Sequence, residues 1–115
     1  MVKEIPNSVG HGGKNKRDPG AVGVLREHDE ALLIAAQVTE KVKAAGGRAP
    51  LFVDTTSTSA SGVVNNLVAM HKQREKALGV DNVINIQWHL NSSGGTHERP
   101  IGVEVLHFGP STKAL

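Results

Sequence analysis

The segment HDEALLIAAQVTEKVKAAGG, His28 to Gly47, constrains this chain more than any other. Ala31, Leu32, Ala35, Val38 and Val42 recur at helical spacing, so one face of a helix is apolar and must be covered. Lys41 and Lys43 stand where the helix dipole favours cations, and Gly46-Gly47 supplies a C-terminal stop. Short apolar runs flank this helix. Before it, VKEIPNSV reads as a poor strand broken by Pro6; after it, APLFVD reads as a short buried strand. TTSTSAS follows as a polar loop, with Ser57, Ser59 and Ser61 as loop and capping residues. GVVNNLVAMHKQREKALG then predicts a second helix, with Val64, Leu67, Val68 and Leu78 on its apolar side and Gly79 at its end. NVINIQWH is a β-branched strand, LNSSGGTHERP a loop and IGVEVLHF a last strand. The order β-α-β-α-β-β predicts an α/β fold, a mostly parallel or mixed sheet with helices packed on its faces.

The 115 residues fit one domain over 1–115, with no linker, repeat or low-complexity tail. Without cysteine, disulfides and thiolate metal sites are excluded. The net charge of +2 is near balance, and Lys14, Lys16 and Arg17 form one local basic cluster. Phe52, Trp88 and Phe108 are the only aromatics, too few for a base-stacking surface, so no nucleic-acid partner is expected. A membrane span needs about 18 consecutive apolar residues, and none is present. The N-terminus lacks the apolar core of a signal peptide, which implies synthesis in the cytoplasm.

In parallel sheets, reactive residues gather at the carboxyl ends of strands. His11 follows the first candidate strand, Asp54 ends the second and His89 ends the third. The stretch SVGHGGKNKRDPGAVG packs five glycines around His11 but matches neither the P-loop nor the dinucleotide-binding glycine spacing. G-x-S-x-G is absent, which argues against a serine hydrolase. Zinc hydrolases use about three His, Asp or Glu ligands and leave a position open for water. HExxH is absent, so such ligands would come from separate elements, and His11, Glu27 and His89 suit this. Glu27 equally suits an acidic residue favoured by a helix N-terminus, and a lone histidine is commonly an ordinary surface or core residue. His28 and His71 read as solvated, His28 also being able to line a cleft. His97 sits in a Gly-Gly loop that could approach substrate, and His107 reads as strand packing.

Taken in order, VGHGG, DPGAVG, Glu27 ahead of an apolar helix, INIQWHLN and GVEVLHF resemble a known family. They look like the zinc-dependent N-acetylmuramoyl-L-alanine amidases (amidase type 3) of bacterial cell-wall enzymes and phage endolysins. The likeness runs from about Ser8 to Phe108 and is closest to the endolysin branch. It implies a three-layer, phosphorylase/hydrolase-like amidase fold with His11, Glu27 and His89 as Zn2+ ligands. Asn91, the Asn of the HxN motif, would order the loop after the ligand and contact substrate, beside the His97 of the Gly-Gly loop. The implied substrate is peptidoglycan, cut at the amide between N-acetylmuramic acid and L-alanine, at the cell wall after release from the cell. The family's domain runs on beyond the point matching Leu115, and its catalytic glutamate lies in that further part. Three readings follow: a partial domain, a zinc- or peptidoglycan-binding remnant without strong activity, or Glu104 standing in as base. A partial sheet also implies self-association through an exposed edge.

Overall fold

A computed structural model describes residues 2–23, 25–90 and 105–106. Its strands are β1 (Asn7–Gly12), β2 (Leu51–Asp54) and β3 (Ile86–Trp88); its helices are α1 (Glu27–Ala44) and α2 (Ala60–Leu78). The fold is mixed α/β. The sheet order is β2-β1-β3, with both pairings parallel and β1 in the middle. The chain passes from β1 through α1 to β2 on one side. It then crosses back through α2 to reach β3 on the other. Right-handed crossovers in opposite directions put the two helices on opposite faces. The alternation of β1 shows this directly. Asn7 donates to Thr39 Oγ1 of α1 at 3.1 Å, whereas Ser8 Oγ meets His71 Nε2 of α2 at 2.8 Å.

The poor strand of the sequence reading is therefore the central one. Pro6 does not break it, because β1 begins just after Pro6. The proline's own carbonyl accepts from the Ile86 N–H at 3.0 Å. The strand also runs on through the glycines to include His11. Asn7 is fully buried, and its side chain reaches every neighbour of β1 on that face. Its amide donates to Thr39 Oγ1 and to the Pro50 and Ala49 carbonyls, and its oxygen accepts from Trp88 Nε1 at 3.2 Å.

The centre of the α1 face is apolar. Val9, Ala31 and Ala35 form its fully buried centre, and Leu32, Leu51, Val53, Trp88 and Leu90 pack around them. The helix positions read from the sequence face inward here. On α2 they do so only in part. Val63 and Leu67 are buried, while Val64 and Val68 are 57% and 45% exposed. The inward stripe of α2 is instead half polar. Asn66 donates to Asp54 Oδ2 at 2.8 Å, His71 reaches Ser8, and Arg74 grips the buried Glu4 carboxylate at 2.6 and 2.8 Å. Apolar periodicity misplaced this face because the sheet beneath it presents Ser8, Asp54 and Glu4 rather than hydrocarbon. Burial pushes the His71 imidazole below its ordinary value, although Asn85 and Glu75 pull the other way.

Ser59 caps α2, accepting from the Gly62 N–H at 3.1 Å, as the loop composition predicted. Of the last expected strand, Val105 and Leu106 are exposed and lie outside any strand. Asn91, His97, Glu104, His107 and Phe108 lie outside the described residues.

Candidate metal centre

In a doubly wound sheet the ligand crevice opens where successive crossovers diverge, at the carboxyl ends of the strands. Here that point lies between β1 and β3. His11 stands at the end of β1, His89 follows β3, and Glu27 is the first residue of α1. The three converge. His11 Nε2 lies 3.1 Å and His89 Nδ1 3.0 Å from the same Glu27 oxygen, Oε1. The His11 and His89 rings meet edge to face with centroids 5.1 Å apart. One ligand atom from each residue lies within 4.8 Å of the others. This is the one group of three or more potential metal ligands among the described residues.

Local backbone chemistry builds the convergence. The turn after His11 closes through reciprocal bonds, Gly12 N–H to Asp18 O at 2.6 Å and Asp18 N–H to Gly12 O at 2.8 Å. The next turn is tied to the start of α1. The Glu27 N–H donates to Ala21 O and the Ala21 N–H donates to Glu27 Oε2, both at 2.9 Å. Two glycines hold the space. A Cβ on Gly10 would stand 2.2 Å from the His89 ring. One on Gly20 would stand 2.6 Å from the His11 ring and 2.7 Å from Glu27 Oε2. His11 itself sits at φ 65, the left-handed region that costs a side-chain-bearing residue about 1 kcal/mol or more. Such strain persists only where the surroundings over-determine it.

The outer ring nitrogens of both histidines are already committed. Asp18 holds His11 Nδ1 with both carboxylate oxygens at 3.0 Å, which calls for the proton on Nδ1. Gln87 Oε1 lies 3.1 Å from His89 Nε2, which calls for the proton there. The inner nitrogens then present lone pairs to an anionic oxygen. Three such groups facing one point suit a cation, and a proton on either ring meets the same Glu27 oxygen as a donor. Burial pushes the Glu27 carboxyl up, but the Ala21 N–H, His89 and His11 outweigh it and hold the group below its ordinary value. Glu27 is 7% exposed, His11 half-buried and His89 the most open of the three.

Sequence spacing placed His11, Glu27 and His89 together, and the structure brings them together. It missed their supports. Asp18 lies inside the glycine-rich stretch, whereas Gln87 carried a legible signal, since residues two apart share a strand face. Asp54, grouped with the histidines by its position at a strand end, has a different role. Its carboxylate accepts from the Thr56 and Ser57 N–H groups, the Ser57 hydroxyl and Asn66, bracing the loop into α2. Burial alone would raise it, yet those bonds hold it at about 2. His28 is not solvated: it is buried, with Nδ1 3.0 Å from the Gly10 carbonyl oxygen. No helix among the described residues is long and apolar enough to cross a membrane. Comparison with family models, curated proteins and solved structures gives no match.

Proposed function

We propose that the protein is a zinc-dependent amidase of peptidoglycan, cutting the amide between N-acetylmuramic acid and L-alanine at the bacterial cell wall. The observation that carries the reading is the meeting of His11, Glu27 and His89 at the β1/β3 crevice. Their chemistry fits the ion. Two imidazoles and a carboxylate are a hydrolytic zinc donor set, and bonds of about 2.0 Å give tetrahedral edges of about 3.3 Å. The two contacts to Glu27, 3.0 and 3.1 Å, approach that edge, and the His11 and His89 ligand atoms lie within 4.8 Å of each other. Helices on both faces of a parallel sheet are also compatible with a three-layer amidase architecture.

Zinc in such a site polarises a scissile carbonyl and acidifies a water. The chain's own residues do the rest. Asp18 fixes the His11 ring and tautomer, Gln87 does the same for His89, and outer partners of this kind typically contribute tenfold or more to metal affinity. Glu27, kept anionic, offsets the charge. Glu104 is the proposed proton acceptor, with Asn91 and His97 as substrate contacts.

Metal analysis of the purified full chain tests this reading. One zinc per chain is expected, lost in His11→Ala and in His89→Ala, together with release of peptides with free L-alanine amino termini from cell walls. Wild type without zinc would overturn it. Stoichiometric zinc with no release would instead assign a zinc- or peptidoglycan-binding module.

A further inference from the structure

The basic cluster at Lys14, Lys16 and Arg17 is not scattered surface charge. It lies on a loop pinched shut at its base by the Gly12–Asp18 pair, the same Asp18 that orients His11. The Lys14 N–H donates to Ser57 O at 2.8 Å, which fastens the loop to the segment leading into α2. Asn15 and Lys16 are held at φ 56 and 53, a left-handed pair that an unconstrained lysine avoids. A depression of about 390 Å³ opens beside it, lined by Lys14, Asn15, Arg17 and Thr58.

The lining is one-sided chemically. All four side chains offer N–H or O–H donors, and no carboxylate is among them. The loop's charge is only partly answered. Lys16 pairs with Asp29 at 2.8 Å, an aspartate that Arg26 also approaches at 3.6 Å. Arg17 donates one guanidinium N–H to the neutral Thr58 carbonyl at 3.0 Å and has no ion-pair partner among the described residues. Lys14 has no ion-pair partner among the described residues.

We propose that Lys14, Asn15, Arg17 and Thr58 form an oxyanion subsite beside the metal centre. It would take an anionic group of the substrate: a carboxylate on a peptide, or a phosphate on a polymer. Arg17 and Lys14 supply charge-assisted hydrogen bonds, Arg17 as a planar fork and Lys14 as a point charge. Asn15 and Thr58 supply neutral donors that set orientation. The loop is braced at Asp18, so an anion held there sits at a fixed offset from His11. The chemical identity of the substrate rests on the amidase reading; the anion site does not.

Backbone-amide NMR of the isotope-labelled full chain, titrated separately with inorganic phosphate and with glutarate at constant ionic strength, tests this. Saturable shifts centred on residues 14–17 and 58 are expected, before and after removal of metal by a chelator. The double substitution Lys14→Ala with Arg17→Ala should weaken binding at least about ten-fold, the scale of losing a charge-assisted hydrogen bond. Lys14→Arg should retain it. The tighter of the two probes identifies the source, glutarate for a peptide carboxylate and phosphate for a polymer. Three results overturn the proposal: unsaturable shifts spread over the helix lysines Lys41, Lys43 and Lys72; binding that vanishes with the metal; or undiminished binding by the double variant. Zinc content, measured on the same samples, reports on the amidase reading separately.

Discussion

Val9 meets Ala31 and Ala35 of α1 on one face of the sheet, whereas its neighbour Ser8 meets His71 of α2 on the other. The first face is mostly hydrocarbon, with the Asn7–Thr39 and His28–Gly10 hydrogen bonds at its margins. The second is a set of paired polar groups, Ser8 with His71, Asp54 with Asn66 and Glu4 with Arg74. Apolar contact tolerates small shifts of a helix, while each polar pair must be met within hydrogen-bond distance or leave a buried group bare. One helix is thus held mainly by area and the other mainly by geometry.

The sharpest way to break this contrast is to remove a polar anchor. Glu4→Ala leaves a void at a site that is 2% exposed and removes both charge-assisted bonds to Arg74, whose guanidinium stays partly solvated. A loss on the order of 3 kcal/mol is expected in denaturant unfolding. A change below about 1 kcal/mol, the scale of an exposed pair, would show that α2 is not held this way. Next in size is the apolar face. Val9→Ala opens a cavity at a fully buried position and should cost about 2 kcal/mol, equally at pH 5 and pH 7, since no ionisable group lies in that cluster. The smallest effect separates the faces by pH. His71 resists protonation in the folded state, so the unfolded chain takes up the proton first as pH falls below the ordinary value of 6.5. Stability should therefore decline from pH 7 to 5, and His71→Gln should flatten that slope by a few tenths of a kcal/mol while Val9→Ala keeps it. Equal slopes in wild type and His71→Gln would sink the assignment.

The same contrast explains what could be read in advance. Periodicity located both helices, and on α1 it also gave the buried face, because there burial follows hydrophobicity. On α2 it placed Leu67 correctly but gave Val64 and Val68 to the buried stripe, because Asn66, His71 and Arg74 look solvent-facing until their partners on β1, β2 and the preceding segment are known. The strand of VKEIPNSV looked weak for a related reason. Its pairing on both sides depends on segments far along the chain, which no local propensity reports. The ligand trio was legible because strand ends in parallel sheets share one edge. Asp18 and Gln87 depended on side-chain reach rather than position, and His28 on the space left beside Gly12.

Asn7 gives that edge its alignment. Its buried amide touches α1, the segment before β2 and β3 at once. Side chains alternate along a strand, so a slip of β1 by one residue would carry this amide to the opposite face and leave it bare. It would carry His11 out of line with His89 in the same step. Asn7 therefore works as a registration pin for chemistry that happens further along its own strand, and an error there would misassemble the centre without altering a single ligand.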